Sequence, residues 1–395
     1  MTTRPSGGPI PAAGAANTAG ADGAEEADGA GGAADEARVR LGRRGVLAWP
    51  LAAAPLAAAA PVAAGVPRAA RARPDAGTPA AVRPAAELRP LGIGLEEWPY
   101  PAPVRFLPLV AGGEPVRMAF MDVPPRSAGS GRAILLLHGK NFDSSYWAGP
   151  IAWLAAAGLR VIVPDQIGFN KSAKPGIDYS YEMLARNTLA LADSLSLGRF
   201  AVLGHSTGGA LAVRLASMAP ERVEQLVLED PIGLVDYRLY IPPQQTSTLL
   251  AAEHAYTTQS YRAFIAHFFP SLPPARYESF VTWRMRVTLS AEFDRFALAS
   301  ALTYQMIYRE PVRTLYETLS MPVLLTAGTA DHSAPLAHYA TAAARARMPT
   351  LHDAARDAAA SLRAGRFVSF ADVGHVPHLA RPDGFKNVVL AFLAG

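Results

Sequence analysis

The chain of 395 residues contains no cysteine. That excludes disulfides, thiolate zinc sites and lipoprotein attachment through a thiol, and it suits an exported protein as well as a cytosolic one. Charge is also sparse, at 18% Asp, Glu, Lys and Arg with a formal net charge of +4. Neither a lysine-rich run nor a basic stripe interleaved with aromatics is present, so a pI near 9.3 is no sign of a nucleic-acid partner. Residues 1–85 are poor in large apolar side chains and are dominated by Ala, Gly and Pro. Such a segment cannot repay the entropy of ordering, and disorder is expected there. The rest is rich enough in apolar residues for one large core or two modest ones.

Within that extension Arg38, Arg40, Arg43 and Arg44 precede an apolar stretch from Gly45 to about Ala64. The pair Arg43-Arg44 followed by Gly45, Val46 and Leu47 resembles a twin-arginine signal, with a small-residue cleavage site after Ala64. Export to the periplasm or medium is therefore expected, with a cytoplasmic location as the alternative. Pro50, Pro55 and Pro61 make the same stretch a weak spanning helix, so no stable membrane anchor is expected.

Downstream, short β-branched or leucine runs alternate with longer amphipathic segments, the pattern of a mostly parallel sheet covered by helices in an α/β fold. Strands are predicted at 116–123, 133–139, 160–168, 199–206, 223–230, 322–329 and 366–374, and helices at 144–157, 181–195 and 207–219. Between Gly233 and about Pro311 the strand pattern stops. That segment holds 14 of the 33 aromatic residues, and its place after a strand suggests a lid over the sheet's carboxyl edge, where open α/β sheets bind ligands.

The chemistry centres on Gly204-His205-Ser206-Thr207-Gly208, which fits G-x-S-x-G between an apolar strand and a helix. A sharp strand-to-helix turn crowds the serine's neighbours, so glycines remove Cβ clashes while Ser206 is pushed out at the helix N-terminus. A serine hydroxyl is a weak nucleophile and needs a base, which in turn needs an orienting group. Asp331 and His375 both lie just beyond predicted strands and can fill those roles. Asp230, which also ends a strand, is the rival acid; His378 reads as packing, His332 as structural or solvent-facing, and Asp165 as a local turn former. The backbone N–H groups of Thr207 and Lys140 are the candidate oxyanion donors, with Asn141 the alternative to Lys140. The Lys140 side chain is expected in solvent, because a buried ammonium beside an oxyanion hole needs its own partner.

From about Val116 onward, "LLLHGKNFDSSYW", "VIVPDQIGFNKSAKP", "VLGHSTGGALAVRLA", "GTADHSAP" and "GHVPHLARP" together resemble the α/β-hydrolase-fold enzymes that carry a helical cap. The resemblance implies a core over 86–233 and 312–395 with a cap over 234–311. It implies the chain order Ser206, Asp331, His375 for nucleophile, acid and base, and no cofactor or metal. Serine stands where haloalkane dehalogenases and epoxide hydrolases of this fold carry aspartate, which argues against both chemistries. The acidic residue that often follows the histidine by five positions is here Ala380. The expected activity is hydrolysis of a carboxylic ester of a small to medium apolar molecule, with Phe264, Phe268, Trp283 and Tyr304 as candidate pocket residues. C–C bond hydrolysis of a diketo acid, with Arg284 or Arg286 clamping its carboxylate, and perhydrolysis are alternatives on the same triad. A non-catalytic ligand-binding protein is the alternative of another class. No nucleic-acid partner follows from any of these readings.

Overall fold

The leucine and valine runs form the middle of one sheet, and the rest of the fold is arranged to cover it. A computed structural model describes residues 89–127 and 131–395; the expected extension over 1–85, with its export signal, lies outside them. Strand β1 (Val104–Ala111) turns back antiparallel onto β2 (Glu114–Val123). Gly112 and Gly113 both take positive φ, 60° and 82°, as a two-residue hairpin turn requires. Next come β3 (Ala133–Leu137), α1 (Ala148–Ala156), β4 (Arg160–Pro164), α2 (Tyr181–Ser194), β5 (Phe200–His205), α3 (Thr207–Met218) and β6 (Val223–Glu229). The stretch 234–311 holds α4 (Thr246–Ala255), α5 (Thr258–Ala266), α6 (Glu278–Val287) and α7 (Phe293–Arg309). The chain then forms β7 (Val323–Gly328), α8 (Ala342–Arg347), α9 (Leu351–Ser361), β8 (Gly365–Phe370), α10 (Pro377–Ala380) and α11 (Pro382–Ala394).

The strand order is β1-β2-β4-β3-β5-β6-β7-β8, antiparallel from β1 to β4 and parallel from there to β8. Successive residues of a strand point to opposite faces, and the core divides accordingly. Leu135, Leu137, Val202, Leu226 and Leu325 pack on one face beneath α2, α3 and α9. Ile134, Leu136, Leu203, Val227 and Leu324 pack on the other, beneath α1 and α11. Because both faces are covered, the central strands read as continuous apolar runs rather than as alternating ones. The connection after β3 runs over one face and the connection after β4 returns over the other, so the winding reverses between β3 and β5. Ligand sites of open α/β sheets form at such a reversal.

Two elements differ from expectation. The hairpin strand β1 was not anticipated, since Pro108 and its half-exposed pattern mask a strand at the sheet's edge. The helix expected over 144–157 starts as a 3-10 turn over Ser144–Trp147, capped by the Asp143 side chain, before α1; Pro150 has no N–H for the α-type bond back to Tyr146. Among the described residues no helix is long and apolar enough to cross a membrane.

The junction of β5 and α3 leaves no room for a side chain at Gly208, where a Cβ would lie 2.0 Å from the Leu137 carbonyl oxygen. Gly208→Ala is therefore expected to destabilise by at least about 2 kcal/mol through overpacking. Gly149→Ala, on α1 with no heavy atom within 4 Å of the added Cβ, is expected to be neutral or to stabilise by up to about 1 kcal/mol. Urea unfolding of both variants measures the contrast.

Candidate active site

At the end of β5 the chain turns directly into α3, and Ser206 takes φ 56° and ψ −118°. This is a region that non-glycine residues avoid. The strained peptide is held on both sides: Ser206 N–H donates to the Glu229 carbonyl, and the Ser206 carbonyl accepts from the Gly209, Ala210 and Ile232 N–H groups. Gly204 is needed for the same packing, since a Cβ there would meet the Gly208 carbonyl at 2.3 Å. The result presents Ser206 Oγ at the head of a helix whose first N–H groups lack intrahelical acceptors.

The loops after β7 and β8 bring two side chains to it. His375 Nε2 lies 2.8 Å from Ser206 Oγ, and His375 Nδ1 lies 2.7 Å from Asp331 Oδ2. All three residues are buried. A carboxylate can only accept, so Nδ1 carries the imidazole hydrogen and Nε2 presents its lone pair to the serine. Burial works against the charge of Asp331, but His375, together with hydrogen bonds from His375, Asp230 and Ser333, holds its carboxyl well below the usual range. Asp230, the rival acid, does not bond to His375; its Oδ1 accepts from the Gly328 N–H at 3.0 Å. The backbone of His375 is fixed by the insertion between β6 and β7, its N–H donating to the Phe268 carbonyl at 3.0 Å.

The loop after β3 carries Lys140 and Asn141 to the same cavity as Ser206 and Thr207. The N–H of Gly139 donates to the Tyr146 hydroxyl at 3.0 Å. The donors this loop can turn toward an oxyanion are therefore those of Lys140 and Asn141, alongside Thr207 at the first position of α3. The Lys140 side chain corrects the expectation of a solvent-facing ammonium. Its Nζ reaches α7 and donates to Ser300 O (2.9 Å), Ser300 Oγ (2.9 Å) and Thr303 Oγ1 (2.7 Å), with the Tyr304 ring 4.0 Å away. The partner that burial demands is thus supplied by the insertion, out of view of any local sequence window.

The cavity has a volume of about 430 Å³. Phe142, Ile232, Leu249, Phe264, Phe268, Tyr304 and Ile307 give it an apolar wall, and Ser206 and His375 face it. Of the four aromatic candidates, Phe264, Phe268 and Tyr304 are there. Trp283 is not; it lines a side cavity of about 20 Å³ with Arg284, Glu253 and Lys140. Arg284 is not a free clamp either, because its Nη2 donates to Glu253 Oε2 at 2.6 Å. Arg286 donates to the Arg89 carbonyl at 2.9 Å. His332, exposed, also borders the main cavity.

Several supporting residues escaped sequence reasoning. His205 Nε2 donates to the His375 carbonyl (2.8 Å) and its Nδ1 accepts from the Tyr146 hydroxyl (3.0 Å), so one ring ties the serine, histidine and oxyanion loops together. His378, read as packing, donates from Nδ1 to Glu229 (2.8 Å) and stacks on Trp147 at 4.6 Å. Asp165, read as a local turn former, also accepts from Tyr100 (2.8 Å) and Ser144 (2.5 Å). A histidine inside G-x-S-x-G was visible in the sequence, but its two partners come from distant loops.

Comparison with known proteins places this geometry. The family described as alpha/beta hydrolase fold matches residues 132–382. The solved structure of a probable hydrolytic enzyme from Pseudomonas aeruginosa PAO1 is 36% identical, with a TM-score of 0.75 over 78% of this chain and 99% of its own. A 2-hydroxy-6-oxo-6-phenylhexa-2,4-dienoate hydrolase from Burkholderia cepacia is 37% identical over 111 residues, 27% of this chain and 39% of the relative. A haloalkane dehalogenase from Mycolicibacterium paratuberculosis is 32% identical over 193 residues, 48% of this chain and 58% of the relative. The chain spans 32% to 61% of the length of the curated relatives it matches.

The enclosed Lys140 has a measurable consequence. Burial drives its ammonium from 10.5 down to about 7, opposed by Glu253. Between those values the unfolded lysine binds a proton that the folded one has released, so stability rises with pH across the window. Lys174, enclosed in the same way, adds its own share. Lys140→Met is therefore expected to reduce the rise, as read by thermal unfolding at a series of pH values across it. Parallel pH dependences of wild type and variant would contradict an enclosed ammonium.

Proposed function

The chain belongs to the alpha/beta hydrolase fold family, and from that premise we propose that it is a serine hydrolase cleaving a carboxylic ester of a small to medium apolar substrate through an acyl-enzyme. The observation that carries the reading is the 2.8 Å contact of Ser206 Oγ with His375 Nε2, backed by Asp331 and opening on a largely apolar cavity. Ser206 Oγ attacks the ester carbonyl as its proton passes to His375 Nε2, and the carbonyl π pair moves to oxygen. The N–H groups of Thr207 and Lys140 donate to that oxyanion. On collapse the alcohol leaves with the proton from His375. Water then adds to the acyl-enzyme by the same steps, releasing the acid and restoring Ser206.

The engagement of Arg284 by Glu253 favours an ester over a diketo acid. A diketo acid brings a carboxylate that needs an uncommitted cation; Lys140 is committed as well, which leaves Arg345, a cavity-lining residue that donates to the Ala337 carbonyl at 3.5 Å, as the cation that reading would need. A fluorophosphonate probe is expected to label wild type and not Ser206→Ala, and that substitution is expected to lower kcat/KM by roughly 10⁴ or more. Equal labelling of both proteins, or none of wild type, would remove the assignment of Ser206 as the nucleophile, and the absence of labelling would favour a binding protein. On p-nitrophenyl esters, kcat/KM is expected to rise with acyl length and then fall once the chain outgrows the cavity.

For the N-terminal segment we propose export through the twin-arginine stretch. A reporter fused after residue 85 should reach the periplasm only in a host with an intact twin-arginine translocase, and Arg43→Lys with Arg44→Lys should stop it. Cytoplasmic retention in both hosts would remove the assignment.

A further inference from the structure

One buried acid beside the site has no part in the steps above. Asp230 follows β6, is fully enclosed, and holds φ at 42°. Its backbone N–H and one carboxylate oxygen are anchored to β7: the N–H donates to the Thr326 carbonyl at 2.8 Å, and Oδ1 accepts from the Gly328 N–H at 3.0 Å. The same Gly328 peptide receives the Asp331 N–H at its carbonyl. Oδ2 of Asp230 is different. It is buried and receives a hydrogen from no N–H or hydroxyl donor among the described residues. Carboxylate oxygens of Asp230 and Asp331 and a ring nitrogen of His375 all lie within 4.8 Å of one another.

Two enclosed carboxylates at this separation, with one imidazole between them and the serine, cannot both be ionised cheaply. Asp331 already has two donors that favour its charge, the His375 ring and the Ser333 N–H at 2.8 Å. Asp230 has one donor, the Gly328 N–H. The other groups around it do not neutralise it. Glu229 adds negative charge and is turned toward His378, Tyr237 contributes a buried phenol, and the His205 ring is committed to His375 and Tyr146. We propose that Asp230 is a positioning residue that keeps its proton on Oδ2 and donates it to Asp331, so that the pair presents a single carboxylate to His375. Burial and the neighbouring Asp331 push the Asp230 carboxyl well above the ordinary range, in keeping with this. The donated hydrogen steadies Asp331 as an anion without adding a second charge, which sets how strongly His375 holds its proton.

The proposal rests on Ser206, His375 and Asp331 being the reacting triad, and its test separates the two. The rate of fluorophosphonate labelling is measured against pH for wild type, Asp230→Asn and Asp230→Leu. An asparagine supplies a neutral N–H donor in place of the carboxylic acid. The acid limb of its profile is therefore expected to stay within about 0.3 pH unit of wild type, with the rate within about threefold. Leucine removes the donor and leaves Asp331 more basic toward His375, so the limb is expected to move to higher pH with a loss of roughly tenfold. A shift of the asparagine limb to lower pH by about one unit or more means that a negative charge was removed, and overturns the proposal. Infrared spectra of wild type carrying ¹³C-labelled aspartate decide the matter without any variant. A protonated-carboxyl band persisting at pH 8 is expected, and its absence overturns the assignment whether or not the serine is labelled. No labelling of wild type at any pH defeats the serine-hydrolase reading, and the infrared band still decides the protonation of Asp230.

Discussion

Where β5 passes into α3, Ser206 is forced to φ 56°, and the neighbouring structure is arranged to keep it there. Such a conformation costs on the order of 1–3 kcal/mol and persists only where its surroundings over-determine it. They do so here through strand register. The Glu229 carbonyl of β6 holds the serine N–H, Ile232 beyond β6 holds its carbonyl, and the peptide of Leu137 at the end of β3 presses against Gly208. These contacts exist only when β3, β5 and β6 are in their observed register, which the fully buried, two-faced strands fix. The nucleophile's geometry is thus a property of the sheet, and the loops that bring Asp331 and His375 extend the same register through β7 and β8.

The second condition is electrostatic. Asp331, Glu229 and Glu253, each at least nine-tenths buried, all have specific partners: His375, His378, and Arg284 with Ser300, respectively. Removing one member of a buried pair leaves the other uncompensated, which costs more than the pair itself contributes. The partners belong to different elements, so each pair also joins two parts of the chain. Glu229 fixes the start of α10 just after the loop that carries His375, and Glu253 of α4 joins α6 to α7. Specific hydrogen-bonded pairing adds to the packing of Phe268, Phe269 and Phe280 on Phe142 in setting where these loops and helices lie.

Much of the core was legible because its cause is local. Runs such as AILLL and FAVLGH are buried on both faces and can hardly be anything but central strands, and the glycines around Ser206 announce a crowded turn. Asp331 and His375 could be located because both directly follow strands. What stayed hidden depends on long-range pairing. Lys140 is a surface-like residue until Ser300 and Thr303, 160 and 163 positions away, are folded over it. Trp283 is aromatic like the cavity residues Phe264 and Tyr304 of α5 and α7, but it lies on α6, from which no described residue lines the main cavity, and it borders the side cavity instead. Strand β1 was masked by a proline and by partial exposure, which blur the alternation a strand needs.

The insertion between β6 and β7 touches the site at two separate points, and this bears on what it does. Through the Phe268 carbonyl it holds the backbone N–H of His375, and through Ser300 and Thr303 it holds the side chain of Lys140. The His375 backbone and the Lys140 side chain are therefore both tethered to the same helical segment, while the Ser206 backbone is held by β6, the first turn of α3 and Ile232 just beyond β6. On the proposed roles of His375 and Lys140, a displacement of α5 or α7 would disturb proton transfer and oxyanion binding together and leave Ser206 where it is. The cavity-lining residues Phe264, Phe268 and Tyr304 fall on that same segment. On the proposed mechanism, an apolar group bound there would act on the two functions that the sheet does not fix, so substrate identity and site alignment would be linked through one piece of structure.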